Sequence, residues 1–377
     1  MEKSTPDEHS RHELDELLGR AIAPGAGSAA VLLASVNGEL VVQRALGVTR
    51  AWDAPGVATE SPSLPVCVDT PFDLASVTKA FVSTALLTEL DARGLDPSLP
   101  LSDYLPEFRL GALSQLTLAH LLTHSAGFPA SWLDHDADPG AARFRRTARP
   151  IAAPGSVHRY SCLSLIWAGL LAVELSEKPL DQLVAEHVLE PLGLQHTGFC
   201  PSPKEWPRIA ATEFEPQRGM VQGEVHDETA FALGGVSGNA GIFGPAPDLL
   251  RFAESLRTGA GLSPRVHAWL TEPAPNVPAA ESGYRPSYGL RIGERWCAAA
   301  PGRTVSHTGF TGTGFFAVPG GEWTFVLLTN RVHPTREQGL LPELRAPIVA
   351  ATIELAGRHV THGEPDPGEN LVTTTQK

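Results

Sequence analysis

Ser76 and Lys79 stand three residues apart in Leu74-Ala75-Ser76-Val77-Thr78-Lys79-Ala80-Phe81, a spacing that puts a hydroxyl and an amine on one helix face. A serine hydroxyl is a weak nucleophile until a base lies beside it, and the first turn of a helix favours the negative charge that develops as it attacks. Val77, Ala80, Phe81, Thr84, Ala85, Leu87 and Leu90 recur at near-helical spacing and Gly94 offers a stop. The pattern predicts a helix that Ser76 opens, with Lys79 following on the same side. The competing reading is structural, with Ser76 as an N-cap. Lysine is scarce, at Lys3, Lys79, Lys178, Lys204 and Lys377. Lys79 sits in an apolar run, where burial is expected to lower its pKa and make it a usable base.

Three further stretches fall where such a pair needs help. Arg159-Tyr160-Ser161-Cys162 precedes an apolar helix, so Tyr160 is expected at a loop-to-helix junction with its hydroxyl turned into a cleft. Ser306-His307-Thr308-Gly309-Phe310-Thr311-Gly312 follows a strand run, and its glycines let a substrate lie against the backbone. Ala119 to Pro129 ends a helix in turn residues.

The elements that must position these groups follow from periodicity. Residues 11–23 read as a short amphipathic helix. Ala29 to Val36 and Leu40 to Gly47 are apolar, β-branched runs joined by Asn37-Gly38, a strong hairpin signal. Val48 to Thr70 reads as a loop. Helical patterns then dominate to about Leu270, including Thr117 to Leu122, Leu163 to Glu174, Leu180 to Val188 and Pro247 to Arg257. Tyr288 to Ile292, Thr304 to His307, Gly314 to Val318 and Trp323 to Thr329 read as strands, the last two joined at Pro319-Gly320-Gly321. A final helix spans Leu341 to Leu355 and stops at Gly357. Neither strand group is large enough to be stable alone. The fold expected is α+β: one central antiparallel sheet from N- and C-terminal strands, flanked by helices, with an inserted all-helical region. The boundaries expected are a flexible 1–10, an α/β region of 11–72 and 280–357, a helical region of 73–279, and a disordered 358–377. The cleft is expected at the junction of the two regions.

Composition limits the function classes. The 377 residues are 42% hydrophobic, enough for a substantial core, and carry a formal net charge of −13. That charge argues against nucleic-acid or anionic-membrane partners, which need clustered Lys and Arg. The one basic cluster, Arg143 to Arg146 with Arg149, reads as a solvated loop. No stretch reaches membrane-spanning length, and the polar N-terminus lacks a signal-peptide core, so a cytoplasmic protein is expected. Cys67, Cys162, Cys200 and Cys297 are widely separated and read as reduced thiols.

The order Ser76-Val77-Thr78-Lys79, Tyr160-Ser161-Cys162, His307-Thr308-Gly309 resembles the serine β-lactamase and penicillin-recognising family, most closely its class C-type, esterase-like branch. Leu121 to Gly127, His226-Asp227-Glu228 with Gly234-Gly235, and Leu327 to Asn330 look like the same branch. The resemblance covers residues 10 to 357 and implies a β-lactamase/transpeptidase-like fold. It implies that Ser76 attacks a carbonyl and becomes acylated, with Lys79 and Tyr160 sharing the base and acid work. Backbone N–H groups of Ser76 and Phe310 would form the oxyanion hole. Cys162, His307, Thr308 and Gly309 would line the substrate site. Two positions depart from the family pattern. Cys162 replaces an asparagine whose amide holds a substrate amide, and a thiol is a weak substitute. His307 replaces a permanently charged lysine.

The reading is therefore a Ser76 acyl-enzyme hydrolase or transacylase acting on a small-molecule ester or amide, with an amine or alcohol as an acceptor besides water. It needs no cofactor and no metal. The abundant Ala, Gly, Pro and Arg suit a GC-rich bacterial genome, in which members of that family also serve secondary metabolism. The alternatives are a β-lactamase or D,D-peptidase, and a penicillin-binding-like sensor that is acylated once and stalls. His120 and His124, four apart, lack the glutamate of a zinc-binding HExxH. Cys162 as nucleophile would need a lowered pKa. His226-Asp227 reads as cleft-lining or structural, and no GxSxG elbow occurs.

Overall fold

The computed structural model describes residues 6–362 except 24–25, 61–62, 133–139, 281 and 338. Strands Ala29–Val36 and Glu39–Gly47 form a hairpin whose turn residues Asn37 and Gly38 have φ of 54° and 82°, as a two-residue turn matched to strand twist requires. A seven-stranded antiparallel sheet is built from this hairpin and the C-terminal strands. Its order is Arg285–Pro286, Arg291–Ile292, Val305–Thr308, Gly314–Ala317, Trp323–Thr329, Ala29–Val36, Glu39–Gly47. The two ends of the chain meet where Ala30 pairs with Thr329 and Val36 with Trp323.

Alternation decides which face each strand residue serves. Leu32, Ala34, Phe316, Phe325 and Leu327 pack under the terminal helices, through Leu14, Leu18, Leu344 and Ile348. Val31, Leu33, Phe315, Val326 and Leu328 face the inserted region. Both faces are covered, which is why these strands read as continuous apolar runs rather than alternating ones.

At the centre of the inserted region lies the helix Thr78–Ala92, buried nearly all round, a property of core helices. Phe81 stacks on Phe252 at 4.3 Å, and Phe252 meets Phe315 of the sheet edge-on at 5.7 Å. This contact chain seats the helix that follows Ser76 on the sheet. The helices Leu118–Leu122, Cys162–Ser176, Leu180–Val184 and Ala246–Thr258 surround it.

Several expectations need correction. The first helix is Pro6–Ala21 and the last Leu341–His362, so residues 6–10 and 358–362 are helical; 1–5 and 363–377 lie outside the described residues. Gly357 does not end the last helix, because a glycine inside a helix costs only about 1 kcal/mol. The inserted region is not all-helical: Phe72–Asp73, Ile242–Gly244 and Gly198–Phe199 form a three-stranded sheet, and Phe214–Glu215 pairs with Gly219–Met220. Within the loop Val48 to Thr70, Trp52–Ala54 pairs with Val57–Ala58. The basic cluster is a helix, Ala141–Thr147, anchored by buried Phe144 and by Arg145, which bridges Glu107 at 2.9 Å and Glu174 at 2.6 Å. Of Tyr288 to Ile292 only Arg291–Ile292 is strand. Gly289 turns there at φ +97°, with Ser83 so close that a Cβ would lie 2.2 Å from its hydroxyl.

Candidate active site

Ser76 lies in a 3₁₀ turn, Ala75–Val77, immediately before the central helix. Ala75 has φ +46°, a left-handed conformation that costs a non-glycine residue about 1–2 kcal/mol. The buried Asp73 carboxylate holds it there, accepting from the Ala75 N–H at 2.8 Å and from the His226 N–H at 2.7 Å. Burial pushes the Asp73 pKa up, against the pull of those two N–H groups. No cap hydrogen bond uses the Ser76 side chain. Its Oγ instead accepts from Lys79 Nζ at 2.9 Å.

Lys79 is fully buried, and its three ammonium donors find three acceptors: Ser76 Oγ, the Asn239 carbonyl at 2.9 Å and Cys162 Sγ at 3.6 Å. Nζ also lies 5.2 Å from the centre of the Tyr160 ring. Burial works to lower the Lys79 pKa, but the acidic groups around it, Cys162 and Tyr160 first and Asp227 beyond, raise it, and the net direction is upward. This corrects the expectation of a lysine lowered by burial: Lys79 is an ammonium at neutral pH. Burial pushes the Cys162 thiol up, the opposite of what a nucleophilic thiolate needs.

Tyr160 stands at the junction before the helix Cys162–Ser176, and a second cation, the Arg291 guanidinium, lies 4.8 Å from its ring centre. His124 is 4.6 Å and His307 6.4 Å from the same ring. Both histidines are held well below their ordinary pKa, by burial first and then by the Lys79 and Arg291 charges, so neither is cationic at neutral pH. The permanent charge missing at His307 is present at Arg291, on the neighbouring strand. Arg291 pairs across the sheet with Ser306 and donates to Thr308 Oγ1 at 3.1 Å and Glu294 at 2.9 Å. Sequence reasoning missed it. The only signal was one arginine in a run read as a strand, with no fixed spacing to the third motif.

The loop after that motif is clipped to the turn that carries Ser76. Thr311 Oγ1 donates to the Asp73 carbonyl at 2.8 Å and Thr313 Oγ1 to the Leu74 carbonyl at 3.0 Å. Gly309 is required here, since a Cβ would lie 2.1 Å from Thr313 Oγ1 and 2.5 Å from the Leu74 carbonyl. Among the described residues no hydrogen bond consumes the backbone N–H of Ser76 or Phe310. A cavity of about 320 Å³ opens above them, lined by Ser76, Tyr160, Cys162, Thr308, Gly309 and Phe310 on one side and His226 to Glu228 on the other. All eight residues singled out in the sequence thus converge, with Lys79 and His307 buried behind the lining. His120 does not join His124: its Nδ1 is committed to Thr117 at 2.9 Å, whereas His124 Nδ1 accepts from the Ser161 N–H at 3.2 Å.

The profile of the Beta-lactamase family matches residues 14–350. The chain belongs to the beta-lactamase family. Over 365 residues it is 28% identical to a provisionally named D-alanyl-D-alanine carboxypeptidase of Salmonella agona (strain SL483), spanning 87% of this chain and 84% of that protein. Its fold is similar to that of "EstCE1, a hydrolase with promiscuous acyltransferase activity" (TM-score 0.70, 23% identity, 92% of this chain and 100% of that one). It is equally similar to a class C beta lactamase from Rhodobacter sphaeroides (TM-score 0.70, 19% identity, 91% and 99%). At these identities the two structures speak to the fold alone. The protein is thus a serine hydrolase of the beta-lactamase family, with that family's sheet-and-helix architecture. No helix among its described residues is long and apolar enough to cross a membrane.

Proposed function

We propose that this beta-lactamase-family protein forms an acyl-enzyme at Ser76 from an ester or amide and passes the acyl group to water or to an amine or alcohol. The observation that carries the reading is the Ser76 Oγ–Lys79 Nζ contact at 2.9 Å beneath a cavity that also holds Tyr160. Ser76 Oγ attacks the carbonyl carbon, and its proton passes to the Tyr160 oxygen, which enters this step as the phenolate beside the Lys79 and Arg291 cations. The carbonyl oxygen gains its charge against the N–H groups of Ser76 and Phe310; one such donor is worth about 3–4 kcal/mol of transition-state stabilisation. Tyr160 then protonates the leaving group. Deacylation repeats the sequence with water or the acceptor as nucleophile, and Lys79 keeps its charge throughout, orienting Oγ.

Cys162 and neutral His307 weigh against efficient turnover of β-lactams or D-Ala-D-Ala peptides. One observation favours that second reading: Arg291, hydrogen-bonded to Thr308, supplies a permanent cation where such substrates carry a carboxylate. An intact-mass and turnover time course with p-nitrophenyl acetate, with and without an added amine, tests the proposal. The native protein is expected to gain one acetyl mass and turn over, Ser76→Ala to do neither, and an amide product would mark a transacylase. Equal behaviour of the two proteins refutes the reading. A chromogenic cephalosporin cleaved as fast as the ester promotes the second reading, and acylation without turnover points to a sensor.

A further inference from the structure

Phe310 is an exposed aromatic residue, 46% accessible, in a loop whose flanking glycines give it little stiffness of its own. The clips of that loop use its neighbours: Gly309 N–H donates to the Thr313 carbonyl at 2.8 Å, and Thr311 reaches Asp73. Phe310 is held from outside the loop. Arg331 Nε donates to the Phe310 carbonyl at 2.8 Å, and the same guanidinium covers the Phe310 ring at 4.6 Å. His226 stacks on the ring at 5.8 Å and 20°.

The base of Arg331 is rigid. The side chain of its neighbour Asn330 is buried and makes four hydrogen bonds, accepting from the N–H groups of Ser28 and Ala29 and donating to Ser28 Oγ and the Ala211 carbonyl, all at 2.8–2.9 Å. Gly312 packs so tightly against Arg331 that a Cβ would lie 3.1 Å from the arginine's own. Arg336, which also lies over the Phe310 ring at 5.5 Å, is committed to Glu213 and Glu228 at 2.6 Å each. Arg331, by contrast, makes no ion pair among the described residues and gives its hydrogen bond to Phe310.

We infer that Arg331 is a positioning residue for the oxyanion hole: by gripping both the carbonyl and the ring of Phe310, it fixes the direction of the Phe310 backbone N–H. This rests on the acyl-enzyme reading above. A donor that points wrongly loses its value in the transition state and costs nothing in ground-state binding.

The test is steady-state hydrolysis of p-nitrophenyl acetate, an uncharged ester whose binding owes nothing to a cation, by native protein, Arg331→Met and Arg331→Lys, with melting temperature measured for each. Arg331→Met, which loses the donor, is expected to lower kcat about tenfold or more with KM within twofold and an unchanged melting temperature. Arg331→Lys, which still reaches the carbonyl with a donor, is expected to lie between Met and native. A kcat within twofold of native in Arg331→Met, or a loss confined to KM, overturns the inference. Should Arg331→Met not fold, Arg331→Lys decides: a lowered kcat at constant KM supports the inference and a native kcat overturns it. Ester turnover that survives Ser76→Ala would instead bring down the acyl-enzyme reading itself, so the two failures are distinct.

Discussion

In the mechanism proposed above Lys79 is a fixed cation and Tyr160 the proton carrier, so their variants test different parts of it. Removing Nζ takes away the group that orients Ser76 Oγ; removing the Tyr160 hydroxyl takes away the proton carrier. Positioned acid-base groups contribute about 10²–10⁴-fold. Lys79→Met and Tyr160→Phe are each expected to slow acylation by p-nitrophenyl acetate within that range, read by stopped-flow absorbance. A Lys79→Met protein that acylates at the native rate would count against the mechanism. Cys162 offers a gain of function. Cys162→Asn places an amide beside Lys79 where a thiol now sits at 3.6 Å, and one added substrate hydrogen bond, worth about 1.4 kcal/mol, is expected to raise cephalosporin acylation roughly tenfold.

At the scale of elements, the turn that carries Ser76 is a strained piece of chain held by one carboxylate. Asp73→Ala leaves the Ala75 and His226 N–H groups buried without a partner. We expect a loss of about 3 kcal/mol in urea unfolding and a lower acylation rate from the relaxed Ala75 conformation. The wall behind Lys79 depends on close approach of backbones. Gly238 lies against the helix Cys162–Ser176, where an added Cβ would fall 1.9 Å from the Leu165 carbonyl. Gly238→Ala must push the chain away, carrying with it the Asn239 carbonyl that Lys79 uses. An overpacking cost of about 1–3 kcal/mol is expected, with acylation reduced in proportion to the displaced lysine. Native stability and rate in this variant would show that the segment yields elsewhere.

The molecule as a whole is tied together by groups far apart in sequence, and one of them titrates. His333 Nε2 accepts from the N–H groups of Ala51 and Trp52 at 3.0 and 3.2 Å, while its Nδ1 hydrogen-bonds the Thr212 carbonyl at 3.0 Å. A nitrogen that accepts must be unprotonated, and burial lowers the His333 pKa to about 4. The unfolded chain takes up this proton below about pH 6.5, whereas the folded one refuses it until about pH 4. The contribution is therefore complete above the unfolded pKa and lost as pH falls, by roughly 3 kcal/mol across that window. His124 and His307, also lowered, act in the same direction. Urea midpoints should fall between pH 7 and pH 5, and less steeply in His333→Gln; a flat native profile would contradict this.

The sequence determined what is local. The hairpin at Asn37-Gly38, the hairpin that joins Gly314–Ala317 to Trp323–Thr329, the period of the central helix and the Ser76–Lys79 spacing are all set within a few residues, so period and turn chemistry exposed them. The three motifs, taken in order, marked the candidate site through the family resemblance they carry. Protonation states and the remaining site residues depend instead on charge and packing between segments. Lys79 keeps its proton because Cys162, Tyr160 and Asp227 arrive from elsewhere in the chain to offset its burial. Arg291 becomes part of the site through sheet register, and Arg331 reaches Phe310 across a turn of the backbone. The helix Ala141–Thr147 exists because Phe144 and Arg145 find partners no local pattern reveals. Electrostatic and packing energies depend on distance in space, and a sequence records only distance along the chain.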